Sequence, residues 1–219
     1  MIFSEETARK IADCLLQVKA IKIQPSNPFT WASGWRSPIY CDNRVTLSHP
    51  EVRTIIKDSL VALIREKYSN ANLIAGVATA GIAQGALVAE ALNLPFVYVR
   101  PEPKKHGMGR QVEGEVKAGQ RAVVIEDLIS TGKSSLNALP PLRQEGCEII
   151  GTAATFSYGF EVAEDSFKKS GCLLYTLSDY EALLSVALEK KLIQAHELET
   201  LREWRKNPES WGSELGITN

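Results

Sequence analysis

The chain has 219 residues, 44% of them hydrophobic and 23% charged, with a net charge of −1. That length suits one α/β domain with a small subdomain, large enough to bury a core without disulfide or metal staples. A net charge so close to zero gives too weak a global field for bulk nucleic-acid binding, while leaving room for a local basic pocket around an anion.

The run Met1 to Glu6 has no basic or apolar leader pattern, and no apolar stretch approaches the ~18 residues of a membrane span. The expectation is a cytoplasmic protein with no nucleic-acid and no membrane partner. Cys14, Cys41, Cys147 and Cys172 form no CxxC pair and have no histidine at ligand spacing. They read as reduced core residues, and no protein metal cage is expected.

Ser4 to Lys19 reads as a helix, with Ser4 as N-cap, Glu5 and Glu6 in the first turn, and Ile11, Leu15 and Val18 on one face. Residues 20–47 carry Pro25, Pro28 and Pro38, and the pieces around Ile21, Ile23 and Ile39 suggest short strands in an irregular region. A second helix starts at Ser48-His49-Pro50-Glu51, where Ser48 and Glu51 have capping-box spacing; its apolar face uses Val52, Ile55, Ile56 and Ile64. From residue 72 strands and helices alternate. Strands are predicted at 73–78, 96–100, 122–125, 149–156 and 172–177, and helices through Ala91, over 133–144, and from the capping-box spacing Ser178 to Glu181 as far as Lys190. Val and Ile runs without polar alternation mean strands covered on both faces, as in a parallel sheet. Residues 101–120 break this rhythm: they lack apolar periodicity and hold Lys104, Lys105, His106, Arg110 and four glycines. Long polar loops in compact domains are often lids.

The strongest chemical signal is Val123-Val124-Ile125-Glu126-Asp127-Leu128-Ile129-Ser130-Thr131-Gly132-Lys133-Ser134. It is an apolar strand, two adjacent carboxylates near its C-terminal end, and a small-residue loop opening a helix. Ligands of open α/β sheets sit beyond these strand ends. Backbone N–H groups at the helix start, with the hydroxyls of Ser130, Thr131 and Ser134, make a phosphate cradle. If the strand persists, the two carboxylates point to opposite faces; once the chain turns, they can share a sugar diol. The string is no Walker A loop, because Asp127 stands where that motif needs glycine. Arg100, Lys104, Lys105 and His106 taken alone would read as solvated surface; beside a phosphate loop on the next strand they read as cations for an anionic leaving group.

This motif resembles that of the type I phosphoribosyltransferases, and the chain is most similar to the bacterial orotate branch. The likeness extends to Phe29-Thr30-Trp31-Ala32-Ser33-Gly34, Ser37 to Tyr40, Asp42-Asn43-Arg44, the loop Ala75 to Ile82, Tyr98 to Pro101, Pro103 to Gly107, and Leu177 to Tyr180. It implies an open, mainly parallel sheet flanked by helices, a small hood mainly from 20–47, and a mobile catalytic loop at about 101–118. It implies transfer of ribose 5-phosphate from phosphoribosyl pyrophosphate to orotate, giving orotidine 5′-monophosphate for pyrimidine biosynthesis. The phosphoribosyl pyrophosphate site would comprise Arg100, Lys104, Lys105, His106, Glu126, Asp127, Leu128, Ile129, Ser130, Thr131, Gly132, Lys133 and Ser134. Lys104, His106 and Asp127 would be catalytic, and Ser130 would also meet orotate. Mg²⁺ would arrive mainly through phosphoribosyl pyrophosphate, and a homodimer would share its sites between chains. The chain departs from many relatives in having Glu102 in place of lysine and Lys133 in place of glycine; another branch has lysines where this chain has Ala32 and Ala80. A purine phosphoribosyltransferase and a non-catalytic regulatory protein of the same fold are the alternatives. The Phe29–Arg44 region argues against the first, and the loop cations against the second.

Overall fold

The structure is a computed structural model and describes residues 1–31, 34–103 and 110–214. Five parallel strands and one antiparallel edge strand form the main sheet, in the order β10-β9-β8-β5-β6-β7. The strands are β5 (Leu73–Val77), β6 (Phe96–Val99), β7 (Val112–Glu113), β8 (Arg121–Ile129), β9 (Glu148–Ser157) and β10 (Leu174–Asp179). Its central strands are covered on both faces, as their unbroken apolar runs predict. On β8, Val123 and Ile125 join one buried cluster, while Ala122 and Val124 join the other.

The first cluster is closed by α1 (Glu5–Gln17), α2 (Pro50–Lys67), α3 (Ala80–Leu92) and α7 (Tyr180–Glu189); the second by α4 (Lys133–Asn137), α5 (Leu139–Gln144) and α6 (Glu161–Ser170). Ser4 caps α1 as predicted, its hydroxyl accepting from the Thr7 N–H at 3.1 Å. The other two predicted caps are displaced by one residue. Ser48 ends a 3-10 turn (Asn43–Ser48), and His49 precedes Pro50 at the start of α2. Ser178 is buried in β10 and donates to the Ala8 carbonyl at 2.8 Å, so Asp179 caps α7 by accepting from the Ala182 N–H. The helix predicted over 133–144 is broken at Ala138. Pro140 and Pro141 lack the N–H groups that a continuous helix would need there. β8 is longer than predicted, running through both carboxylates to Ile129. After α7, α8 (Glu197–Lys206) follows His196.

The chain between α1 and α2 forms two small antiparallel pairs, β1 (Ile21–Ile23) with β4 (Ile39–Cys41) and β2 (Phe29–Thr30) with β3 (Arg36–Ser37). The C-terminal segment braces them: the Trp204 indole of α8 donates to the Arg36 carbonyl at 3.2 Å. Trp204 and Trp211, the latter at the start of α9 (Trp211–Glu214), are both buried.

On either side of the loop after β5, Gly76 of β5 and Gly81 of α3 pack backbone against backbone with no room for a side chain. A Cβ on Gly76 would lie 2.7 Å from the Gly81 carbonyl oxygen, and one on Gly81 would strike the Ile125 carbonyl oxygen. The first turn of α3 therefore rests on the backbone of β8, just before Glu126.

Candidate active site

The site is built where β5, β6 and β8 end. Glu126 and Asp127 occupy successive positions near the end of an intact strand, and their carboxyl groups are close enough to hydrogen-bond one another. Glu126 is 5% exposed and accepts from the Ser135 hydroxyl of α4 at 3.1 Å and from the Asp127 N–H at 3.0 Å. Asp127 lies on the side of the small strand pairs, where the Asn43 side-chain amide donates to its backbone carbonyl at 2.6 Å. Burial first, and the neighbouring Asp127 charge second, hold Glu126 well above the usual carboxylate range. Burial also raises Asp127, with a hydrogen bond from Glu126 and the charge of Arg44 pulling the other way. In the free protein burial thus biases both carboxyls towards the protonated form, Glu126 the more strongly.

That burial predicts a gain in stability where charge is removed. Glu126→Gln keeps the shape of the protonated group, so without substrates its melting temperature should exceed that of the parent by roughly 2–4 °C, on the order of 1 kcal/mol at this chain length. The sign follows from a folded pKa above the unfolded one. The parent is fully stabilised below the ordinary carboxylate range and loses that stability as pH rises through the folded value. The difference should thus be near zero in mild acid and grow towards neutral pH; thermal melts across that span check it.

After Ile129 the chain leaves the sheet through Ser130 and Thr131 into Gly132, whose φ of +78° belongs to the left-handed region. A Cβ there would also lie 2.9 Å from the Phe167 ring, so both backbone and packing call for glycine. α4 follows at once, with no side chain capping its N-terminus, so the N–H groups of its first turn are left without helical acceptors. Lys133 and Ser134 are exposed and Ser135 is buried.

Two cavities flank this loop. One, of about 90 Å³, lies between the ends of β5 and β6 and the start of α4, and is lined by Ala78, Arg100, Pro101 and Ser134 among others. Arg100 is held there by its N–H on the Gln111 carbonyl and by its guanidinium 3.4 Å from Glu113 of β7. The segment read from sequence as aperiodic loop thus re-enters the sheet at β7. The other cavity, of about 640 Å³, lies between the small strand pairs and the loop after β8. Thr30, Trp31, Trp35, Tyr40 and Cys41 line one side, and Leu128, Ser130, Thr131 and Tyr158 the other. Trp31 stacks with Trp35 at 6.2 Å between centroids and packs against Tyr158 at 5.2 Å.

The sequence-predicted residues Arg100, Glu126, Asp127, Leu128, Ile129, Ser130, Thr131, Gly132, Lys133 and Ser134 are thus brought to one end of the sheet. Lys104, Lys105 and His106 lie outside the described residues. The sequence reading used Phe29–Arg44 only as a region of family likeness and assigned no individual role to Asn43, which holds the Asp127 backbone, or to the residues of the aromatic wall. The signal for the wall was available: Phe29, Trp31, Trp35 and Tyr40 crowd twelve residues of otherwise polar chain.

No group of three or more metal-ligating side chains occurs among the described residues. Two adjacent carboxylates beside a phosphate cradle suit a cation whose remaining ligands are water and substrate oxygens.

Comparison with known proteins agrees with this geometry. A model of the phosphoribosyl transferase domain matches residues 46–190. The orotate phosphoribosyltransferase of Bacteroides fragilis is 55% identical over 203 residues, 93% of this chain and 96% of that protein. That of Porphyromonas gingivalis is 56% identical over 202 residues, 92% of this chain and 96% of its own length. Among solved structures, orotate phosphoribosyltransferase from Aeropyrum pernix superposes with a TM-score of 0.73 at 28% identity, covering 84% of this chain and 99% of that one.

Proposed function

The chain belongs to the orotate phosphoribosyltransferase family, and from that membership we propose how its residues carry ribose 5-phosphate from phosphoribosyl pyrophosphate to orotate. The reaction displaces pyrophosphate from the anomeric carbon, with positive charge building on the ribose ring. Most of the catalysis is positioning and charge stabilisation. The observation that carries the assignment is the strand end itself: adjacent carboxylates, that of Glu126 buried, a glycine turn into a helix start, and two cavities flanking it.

The Ser130–Ser134 loop holds the 5-phosphate through backbone N–H groups and hydroxyls. Asp127 and Glu126 accept from the ribose hydroxyls. The pyrophosphate lies over the loop after β5, with Arg100 at its edge. Because β7 fixes residues 112–113 in the sheet, the lid expected over about 101–118 is shortened to the segment before β7; Lys104, Lys105 and His106 belong to it, and Lys104 and His106 act on the leaving group. Orotate enters the aromatic cavity, against Ser130. Residues 20–47 act as its hood. Glu126 and Asp127 would hold Mg²⁺ through ribose oxygens and water, and the ion adds positive charge beside the pyrophosphate. The working form is a cytoplasmic homodimer with shared sites. In support, no helix among the described residues is long and apolar enough to cross a membrane, and the four cysteines are unpaired.

The test is an absorbance assay of orotate consumption with phosphoribosyl pyrophosphate and Mg²⁺, run beside adenine, hypoxanthine and uracil. Orotate alone should be consumed, and a chelator should stop the reaction until Mg²⁺ is restored. Turnover of a purine in place of orotate would overturn the assignment.

A further inference from the structure

Tyr158 is anomalous for a buried tyrosine. It follows β9 and is only 2% exposed, with its ring packed against Trp31, Phe156, Phe160, Tyr180 and Trp204. Buried phenols normally satisfy their hydroxyls. Two others here do: Tyr68 donates to the Thr152 carbonyl at 3.0 Å, and Tyr180 to the Leu201 carbonyl at 2.9 Å. The Tyr158 hydroxyl has no hydrogen-bond partner among the described residues, yet the residue lines the aromatic cavity beside Leu128 and Ser130. A side chain held on every ring face, with its polar atom left to a cavity, is preorganised for a ligand.

We propose that Tyr158 is a specificity-determining residue, whose hydroxyl donates a hydrogen bond to an oxygen substituent of the pyrimidine and so fixes the base against Ser130. The proposal rests on the assignment of this cavity to orotate. Phenol chemistry favours the donor role. Burial, with the nearby Cys41, Tyr180 and Asp127, pushes the hydroxyl well above its ordinary pKa and keeps it protonated. A pyrimidine dione with a carboxylate offers oxygens on three sides and therefore suits a donor. The aromatic ring of the base also suits the walls formed by Trp31 and Tyr40.

Two variants separate the inference from the assignment beneath it. Tyr158→Phe keeps the ring and its packing and removes only the hydroxyl. Its melting temperature should match the parent's, and its KM for phosphoribosyl pyrophosphate should stay within about twofold. Its KM for orotate should rise about fivefold to tenfold, the usual worth of one neutral hydrogen bond. Tyr40→Ala changes a side chain 40% exposed at the cavity mouth, so it should fold, and it should also raise the KM for orotate by losing a stacking surface. An unchanged orotate KM in Tyr158→Phe, with a raised one in Tyr40→Ala, would overturn the role of Tyr158 and leave the cavity assigned to orotate. Unchanged values in both would overturn the cavity assignment and the role of Tyr158 together.

Discussion

Asp127→Asn should lower kcat by about 10²–10³-fold, the scale seen when one preorganised polar contact to a developing charge is removed. The amide nearly preserves the shape of the carboxylate. It replaces an anionic acceptor with a group whose nitrogen only donates, in front of ribose hydroxyls that must themselves donate. The loss should fall on turnover more than on folding. Burial raises Asp127 in the free protein, so its charge is not what holds the fold, and its backbone carbonyl still accepts from Asn43 in the variant. Progress curves of orotate absorbance, with circular dichroism to verify the fold, measure both quantities. Near-parental kcat in a folded Asp127→Asn protein would exclude the ribose-positioning role.

The second large effect is a recovery. Lys104→Ala and Asp127→Asn should each be close to inactive alone. Unfolded and refolded together, they should regain roughly a quarter of parental activity. Random pairing makes about half of the dimers mixed, and in each mixed dimer one site receives both defects and the other neither. This outcome requires that the lid of one chain serve the cradle of its partner, as two-fold symmetry permits. If Lys104 and Asp127 serve the same site within one chain, every site keeps one defect and the mixture stays as inactive as its components.

The strands were legible in the sequence where they are buried on both faces. Leu73 to Val77 and Ala122 to Ile125 carry apolar runs that no amphipathic helix shows, and both are strands. The errors were local ambiguities resolved by tertiary contacts. Ser178 has the right spacing for a capping box, but β10 docks under α1 and its hydroxyl is taken by Ala8. β7 is two residues long and owes its existence to the β6 edge, so no period could reveal it. The loop after β8 was legible because one contiguous string builds it. Of the aromatic cavity, the sequence named Ser130 and the Phe29–Arg44 region but not Tyr158, which comes from a distant strand and meets them only in the fold.

Because Gly76 and Gly81 pack backbone to backbone on either side of the loop after β5, most of this turn should be nearly silent in an alanine scan. Ala75, Ala78 and Ala80 leave nothing to truncate, Thr79 is the one loop side chain such a scan can shorten, and the main-chain amides proposed to meet phosphate oxygens lose nothing in it. Such a scan would mark the cavity aromatics and the carboxylates as the whole site and overlook half of it. The complementary experiment adds bulk: Gly81→Ala would push the first turn of α3 away from Ile125, displacing the amides together rather than deleting one contact. A mutational map of this protein that ranks positions only by sensitivity to truncation would therefore understate the part of the site written in glycine and alanine.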